Sequence, residues 1–280
     1  MVILKAVPDI SALLHKDKVE GGIGYVPTMG ALHDGHLSLI ERSKRENEIT
    51  VCSIFVNPTQ FNDKSDFEKY PVKLEDDIAL LVDTGCDILF LPTVGEVYPS
   101  GADLKKYQLG TLETLWEGKY RAGHFQGVCQ VMDCFLGIIQ PDKLYLGQKD
   151  YQQCMVIQKL INISGFNTAL TICSTIREKS GLAMSSRNMR LSEKDKEAAI
   201  AIFGSLVYIK ENISTTSVEL MKDSITKKLL NSDFNSIDYI TICNAETLEN
   251  IIEFNPSTPT VALIAAFIDG VRLIDNMLIS

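Results

Sequence analysis

The sequence predicts an α/β protein in which a Rossmann-like parallel sheet, with helices on both faces, is followed by a smaller C-terminal α+β domain. In the first two-thirds of the chain, short apolar segments alternate with segments of helical period. Such alternation is typical of a parallel sheet wrapped by helices. Beyond about residue 176, two helical segments precede a group of strand-like segments. We therefore expect one domain at 1–175 and another at 176–280.

The elements of the first domain can be assigned in chain order. Strands are expected at 24–28, 49–56, 86–91, 143–146 and 168–173, and helices at 35–47, 74–82, 128–139 and 151–164. The segment 49–56 is a β-branched apolar run, which indicates a strand buried on both faces. Apolar residues recur at helical spacing over 128–139 and form the clearest helical stripe in the chain.

The second domain is predicted to contain two helices, at 193–212 and 217–231. Strands are expected at 237–243, 261–268 and 271–275, with a turn at Gly270. Helices followed by grouped strands favour an α+β arrangement.

The composition excludes some classes of function. The chain has 280 residues, a formal net charge of −9, and 45% hydrophobic and 22% charged residues. The acidic balance argues against a nucleic-acid partner, because phosphate backbones require clustered Lys and Arg. It does not exclude a local anion site.

The same sequence predicts a cytoplasmic location. There is no apolar run long enough to cross a bilayer, and the first residues lack the pattern of a signal peptide. The seven cysteines are odd in number and none forms a Cys-x-x-Cys pair. This argues against a secreted disulfide scaffold and favours a reducing compartment without a membrane partner.

The most informative motif is Pro-Thr-Met-Gly-Ala-Leu-His-Asp-Gly-His at 27–36. It follows a predicted strand and opens a predicted helix, where backbone N–H groups and the helix dipole favour a phosphate. His33 and His36 share a face of the first helical turn and could donate hydrogen bonds to developing negative charge. Alone, the pair could instead lie on the surface or bind a metal, although a zinc site would need further ligands.

Two further segments follow predicted strands. Phe-Val-Asn-Pro-Thr-Gln-Phe at 55–61 offers the amides of Asn57 and Gln60 for reading hydroxyl and carboxylate groups, but it could be an ordinary polar turn. In the segment 147–153, Lys149 can bind a phosphate as a point charge. Asp150 could contact a ribose hydroxyl or merely cap the next helix.

Two more segments lie near the expected domain boundary or before the striped helix. Residues 174–178 with 184–188 supply hydroxyls and an arginine that could grip a leaving pyrophosphate, either as a mobile flap or as a solvated loop. His124, which precedes the striped helix, could be catalytic, but we favour a structural or peripheral binding role.

Together these segments resemble the pantothenate synthetase family. The resemblance covers about residues 20–195 and includes Pro-Thr-Met-Gly-Ala-Leu-His-x-Gly-His, Phe-Val-Asn-Pro-x-Gln-Phe, Gly-His-Phe-x-Gly-Val, Gly-x-Lys-Asp-x-Gln-Gln and Gly-Leu-Ala-Met-Ser-Ser-Arg-Asn. Any one string could occur elsewhere, but five in register make coincidence implausible.

The resemblance implies a nucleotidyltransferase-like Rossmann domain that binds nucleotide and pantoate, and a C-terminal domain that partly covers the site as a lid. It implies an ATP-dependent ligase of pantothenate and coenzyme A biosynthesis. The substrates would be Mg²⁺-bound ATP, (R)-pantoate and β-alanine, and the products pantothenate, AMP and pyrophosphate. It also implies a homodimer.

The resemblance and the motifs assign three groups of residues. The ATP-binding group is Met29, Gly30, Ala31, Leu32, His33, Asp34, Gly35, His36, Gly147, Gln148, Lys149, Asp150, Ile176, Met184, Ser185, Ser186 and Arg187. The catalytic group, which would stabilise charge on the triphosphate, is His33, His36, Lys149, Ser185, Ser186 and Arg187. The substrate group is Asn57, Gln60 and Gln153.

Several positions depart from the family pattern. Asp34 and Gln148 stand where glutamate is expected, Gln126 and Lys73 where arginine is common, and Ser174 where proline is usual. The missing charge at Gln126 could weaken anion binding.

Two alternatives to a ligase stay open at the sequence level. One is another small-molecule nucleotidyltransferase, and the other is a non-catalytic nucleotide-binding protein on the same fold. No set of metal ligands can be assigned. Asp76 and Asp77 could contact Mg²⁺ or simply face solvent on a helix.

Overall fold

The first domain is built on a six-stranded sheet in the computed structural model, which describes residues 1–16, 19–62, 67–99 and 104–280. The strands are β1 (Val2–Leu4), β2 (Ile23–Thr28), β3 (Ile49–Ile54), β4 (Ile88–Phe90), β5 (Lys143–Gly147) and β6 (Ala169–Cys173). Their order is β1-β4-β3-β2-β5-β6, and every neighbouring pair is parallel. The predicted fold class is confirmed.

Helices cover both faces of this sheet. In the described residues, the helices of this domain are α1 (Val7–Leu14), α2 (Asp34–Glu46), α3 (Leu74–Asp83), α4 (Val94–Val97), α5 (Trp116–Tyr120), α6 (His124–Ile139) and α7 (Tyr151–Ser164). On β2, Tyr25 belongs to the core on one face and Val26 to the core on the other. Successive strand residues point to opposite faces, so a strand covered on both sides reads as a continuous apolar run.

The C-terminal part forms a smaller layered unit against the first domain. Its elements are α8 (Glu193–Asn212), α9 (Val218–Leu230), β7 (Ser236–Asn244), β8 (Thr260–Ile268) and β9 (Val271–Leu278). The strands form an antiparallel sheet in the order β7-β8-β9. One face of this sheet packs on α8 and α9, and the other packs on side chains of the first domain that include Trp116, Tyr151 and Met155.

The domain boundary at Ile176 stays a prediction. The last strand is longer than expected, since β9 runs to Leu278 and not to Asp275. Among the helices in the described ranges, none combines the length and apolar character that a membrane crossing requires.

Candidate active site

The strand order changes direction at β2, which has β3 on one side and β5 on the other. In an open parallel sheet, such a switch point leaves a crevice beyond the carboxyl ends of the strands. The segments that follow β2, β3 and β5 therefore start side by side. A cavity of about 210 Å³ lies at this place.

This cavity brings together the four segments that the sequence singled out. The predicted site residues that line it are Met29, His33, Gly35, His36, Asn57, Gln60, Gly147, Lys149, Asp150, Gln153, Ile176, Met184, Ser185, Ser186 and Arg187. A second cavity of about 350 Å³ adjoins it and shares Lys149, Asp150, Ser185 and Arg187 in its wall. The first cavity also has an apolar wall from α6, formed by Val128, Val131, Met132 and Phe135.

Five predicted residues are not in the cavity wall: Gly30, Ala31, Leu32, Asp34 and Gln148. The backbone amides of Ala31 and Leu32 donate to the two carboxylate oxygens of Asp77, at 2.8 and 2.7 Å. An internal carboxylate therefore already occupies these two loop amides, and the phosphate site expected at the start of α2 stays a prediction. Asp77 is buried on α3, so it is not the solvated helix residue that was the alternative to a Mg²⁺ contact.

The loop after β2 is held in an unusual backbone conformation. Gly30 and Ala31 have φ values of 83° and 50°, and a non-glycine residue rarely adopts the left-handed region. The Ser186 hydroxyl donates to the carbonyl of Ala31 at 3.1 Å. This hydrogen bond connects the 184–188 segment to the loop after β2. Because the Ser186 hydroxyl donates its proton to Ala31, it does not donate to a ligand in this arrangement.

His33 is the N-cap of α2. Its Nδ1 accepts a hydrogen bond from the amide of Gly35 at 3.1 Å, so the proton of the neutral ring lies on Nε2. A Cβ at Gly35 would lie 2.8 Å from the His33 ring, and glycine is therefore required for this close approach. The rings of His33 and His36 lie 4.1 Å apart between centroids.

Both histidines are neutral at physiological pH. Burial, with the positive charge of Lys149, lowers the pKa of His33 to about 4. Burial is the largest cause that lowers the pKa of His36 to about 3, and the electrostatic effects of His33 and Lys149 lower it further. In the described part of the chain, Nδ1 of His36 is buried and has no hydrogen-bond partner. These rings can act as neutral donors to charge on a ligand rather than as imidazolium ions.

Lys149 and Asp150 leave β5 through a short 3₁₀ turn. Lys149 Nζ lies 3.8 Å from Asp150 Oδ2. Asp150 occupies the N-cap position of α7, but its side chain makes no capping hydrogen bond. The capping alternative is therefore not realised, and the carboxylate faces the cavity.

In the segment after β3, the side-chain amide of Gln60 faces the cavity, whereas that of Asn57 makes hydrogen bonds within the protein. Asn57 donates to the carbonyl of Gly127 at 3.1 Å and accepts from the Tyr98 hydroxyl at 2.9 Å, so its side chain shapes the turn. The Gln60 side chain lies against Met29, with Nε2 3.0 Å from the sulfur. His124 is buried, and its Nδ1 lies 2.8 Å from the carbonyl oxygen of Gln60, which is a structural contact.

Comparison with known proteins decides the family. A family model described as pantoate-beta-alanine ligase matches residues 2–278. The chain belongs to the pantoate-β-alanine ligase family. A pantothenate synthetase of Cytophaga hutchinsonii is 44% identical over 282 residues, which cover 100% of this chain and 99% of that protein. A pantothenate synthetase of Bacteroides thetaiotaomicron is 38% identical over 99% of this chain and 98% of that protein.

Solved structures of pantoate-β-alanine ligase family members have the same fold. The pantothenate synthetase of Thermus thermophilus is 38% identical, with a TM-score of 0.92 over 100% of this chain and 99% of that chain. A pantoate-β-alanine ligase of Francisella tularensis, complexed with beta-gamma ATP and β-alanine, is 36% identical with a TM-score of 0.85. The match covers 99% of this chain and 97% of that chain.

Of the positions that depart from the family pattern, Ser174 lines the first cavity, whereas Asp34, Lys73, Gln126 and Gln148 do not. Gln126 exchanges hydrogen bonds with the backbone of Tyr107 at 3.0 and 2.9 Å and donates to Glu113 at 2.9 Å. Its side chain therefore fastens the segment before α5 and does not face the cavity. Gln148 donates to Asn276 of β9 at 3.2 Å.

Sequence reasoning missed two residues that shape the site of this family member. Asp77 was considered only as a metal contact or a surface residue, and Asn276 lay beyond the predicted end of the last strand. A buried acid on an amphipathic helix gives no local signal. A polar residue that follows an alternating strand looks like the start of a loop.

Proposed function

We propose that this chain condenses (R)-pantoate with β-alanine, using ATP, to give pantothenate, AMP and pyrophosphate through a pantoyl adenylate. The observation that carries the proposal is the convergence of Met29, Gln60, Lys149 and Ser185, from four distant segments, on one cavity at the switch point of the sheet. Family membership supports the choice of reaction. The related Francisella tularensis ligase is complexed with beta-gamma ATP and β-alanine.

In the first step, an oxygen of the pantoate carboxylate attacks the α-phosphorus of ATP. The new bond joins that oxygen to phosphorus, and the bond to pyrophosphate breaks. The negative charge that moves onto the leaving pyrophosphate requires donors, and we assign this task to the neutral rings of His33 and His36, to Lys149 and to the Ser185 and Arg187 side chains. The hydroxyl of Ser186 positions the loop instead, because it donates to Ala31.

Pantoate is proposed to lie between the amides of Gln60 and Gln153 and the apolar wall of α6. Amide groups can hydrogen-bond to its carboxylate and hydroxyl groups, and the apolar wall suits its two methyl groups.

In the second step, the neutral amine of β-alanine attacks the carbonyl carbon of the adenylate, AMP leaves with the bonding electron pair, and the nitrogen loses a proton to solvent. Adenylation supplies the good leaving group that a free carboxylate lacks. No side-chain nucleophile is needed, so the roles of the protein are alignment, charge stabilisation and exclusion of water.

Mg²⁺ is proposed to enter with ATP. Among the described residues, no group of three or more His, Cys, Asp or Glu side chains could hold a metal ion. Asp150 is the one carboxylate among the described residues that line the first cavity. This fits Mg²⁺, which is commonly held by one or two carboxylates and substrate phosphates. When bound, the ion would neutralise phosphate charge.

We also propose a cytoplasmic homodimer, as the family resemblance implies. The seven cysteines are free, which supports a reducing compartment. Sedimentation of the purified chain would measure the assembly state.

The test of the main proposal is AMP formation that requires both pantoate and β-alanine. Omission of β-alanine should allow pantoate-dependent exchange of pyrophosphate into ATP without net AMP release. A simple nucleotidyltransferase would release pyrophosphate in full turnover without an amine. ATP binding without exchange or AMP formation would support the non-catalytic alternative.

A further inference from the structure

Two consecutive residues of β9 hold two different loops of the candidate active site. Asp275 and Asn276 are both buried, at 4% and 3% exposure. Neither lines the first cavity. Buried polar groups carry a cost unless they are well hydrogen-bonded, so their partners indicate what these residues do.

Asn276 holds the loop after β5. Its Nδ2 donates to the carbonyls of Gln148 at 2.9 Å and Lys149 at 2.8 Å, and its Oδ1 accepts from the Gln148 side chain at 3.2 Å. These bonds fix the backbone from which the Lys149 side chain extends into the cavity.

Asp275 holds the segment after β6. Its two carboxylate oxygens receive bonds from Arg177 at 2.6 and 3.0 Å. The Arg177 guanidinium also lies over the Phe203 ring, 4.2 Å from its centroid, and donates to the carbonyl of Gly181 at 3.1 Å. Arg177 pairs with Ala183 through an isolated bridge, so this ion pair anchors the base of the hairpin that leads to Ser185.

The geometry of a strand explains how neighbours in sequence reach separate loops. Consecutive residues of a strand point to opposite faces. Leu273 packs on the side of α8 and α9, whereas Ile274 packs against the first domain. By the same alternation, Asp275 lies on the face of Leu273, and Asn276 lies on the face of Ile274. The strand lies at the edge of its sheet, so it fits between the two loops.

We propose that Asp275 and Asn276 are positioning residues that fix Lys149 relative to Ser185 and Arg187. The inference rests on the proposed function, because it concerns the groups assigned to the triphosphate. The hydrogen bonds of Asp275 and those of Asn276 are directly linked, because the backbone N–H of Asn276 donates to Asp275 Oδ1 at 2.8 Å. A displaced loop would therefore change the spacing between phosphate-binding groups from opposite sides of the crevice.

The test separates the two half-reactions. Adenylate formation is measured as single-turnover pyrophosphate release without β-alanine, and aminolysis as the decay of preformed adenylate after β-alanine is added. Asn276→Ala should slow adenylate formation by roughly ten- to hundredfold, because a displacement of about 1 Å of a catalytic group can lower a reaction rate by that factor. Aminolysis, which no longer involves the triphosphate, should stay close to wild type.

A second variant, Asp275→Asn, keeps the side-chain shape and removes the charge that pairs with Arg177. It should likewise slow adenylate formation and leave aminolysis close to wild type, because it would displace the hairpin that leads to Ser185 rather than the backbone at Lys149. The matched control is Asn244→Ala, which removes two side-chain bonds to the backbone amides of Glu246 and Thr247 elsewhere in the same sheet. That control should leave both half-reactions unchanged.

The outcomes distinguish the two proposals. Equal slowing of both half-reactions in both variants, with a lower thermal midpoint, would reduce Asp275 and Asn276 to a role in folding and overturn the inference. Wild-type adenylate formation in both variants would overturn it as well. If the wild-type chain itself releases no pantoate-dependent pyrophosphate, the proposed function fails instead.

Discussion

The carboxylate of Asp77 accepts a hydrogen bond of 2.8 Å from the backbone amide of Ala31, a residue held at a φ of 50°. The second oxygen of the same carboxylate accepts from the next amide, that of Leu32. A left-handed conformation costs an alanine about 1–2 kcal/mol, so the buried acid stabilises the turn that leads into His33. The loop is shaped by a side chain 46 residues away.

Replacement of Asp77 by asparagine should destabilise the fold by about 2–3 kcal/mol, because one of the two amides would then face an N–H₂ group instead of an acceptor. The free energy of unfolding in urea measures this change. Asp76→Asn is the matched control, since Asp76 lies exposed on the same turn of α3 and should alter stability by no more than about 0.5 kcal/mol. Equal effects of the two substitutions would contradict the assigned role.

Stability should fall as the pH is lowered from about 6.5 to about 4. Burial holds the folded-state pKa values of His33, His36 and His124 at about 4, about 3 and about 3, below the ordinary value of 6.5. In this window the unfolded chain binds more protons than the folded chain, so the free energy of unfolding increases with pH. The stabilisation is complete above a pH of about 6.5 and is lost as the pH falls towards the folded-state pKa values. Urea titrations at several pH values measure the slope, and His124→Gln should reduce it.

Replacement of His36 by alanine should slow adenylate formation by on the order of a hundredfold, as the loss of one donor to a transition-state charge usually does. Because the ring is neutral with a pKa of about 3, the rate of this step should not follow a His36 titration near neutral pH. Single-turnover adenylate formation measures both effects. A near wild-type rate in the variant would remove His36 from the mechanism.

The parallel sheet could be predicted because burial on both faces leaves a continuous apolar signal. The run at 49–56 has this quality, and β3 lies there; the apolar stripe at helical spacing over 128–139 predicted α6 in its own way. Val2–Leu4 gave no such signal, because β1 is a three-residue edge strand whose side chains are largely exposed. The short helix α5 was not predicted either, because it depends on contacts with distant residues: Glu117 accepts two hydrogen bonds from Arg272 of β9, at 2.9 and 2.6 Å.

The candidate site could be found in outline but not in its internal connections. Strand-to-helix turns mark where ligands bind in parallel sheets, and this rule placed His33, Gln60 and Lys149 together. The rule says nothing about which amides are free. The donors of Ala31 and Leu32 are used by Asp77, a pairing between distant segments that has no local pattern.

Replacement of Gln60 by alanine should raise the KM for pantoate more than the KM for ATP. The amide faces the cavity beside Met29 and is assigned to pantoate, so its loss removes about 1 kcal/mol of hydrogen bonding from that substrate. Initial-rate kinetics with each substrate varied in turn measure the split. Gln158→Ala is the control, since Gln158 is an exposed residue of α7 that contacts Asn162. An equal rise in both KM values would argue against a pantoate contact.

Gly127 lies on the face of α6 where the helix touches the turn after β3. A Cβ at this position would lie 2.3 Å from the carbonyl oxygen of Thr59 and 2.7 Å from the amide nitrogen of Gln60. These are backbone atoms and cannot rotate away, so Gly127→Ala should cost about 1–3 kcal/mol through overpacking and should displace Gln60. Stability in urea and the KM for pantoate should therefore worsen together.

Gly137 provides the matched comparison on the same helix, because a Cβ there would meet no atom within 4 Å. Gly137→Ala should stabilise the protein by about 0.5–1 kcal/mol through the higher helix propensity of alanine, without any change in KM. If Gly127→Ala were as harmless as Gly137→Ala, the turn after β3 would be able to move away from α6. The close contact between Gly127 and Thr59 would then not be what positions Gln60 in the cavity.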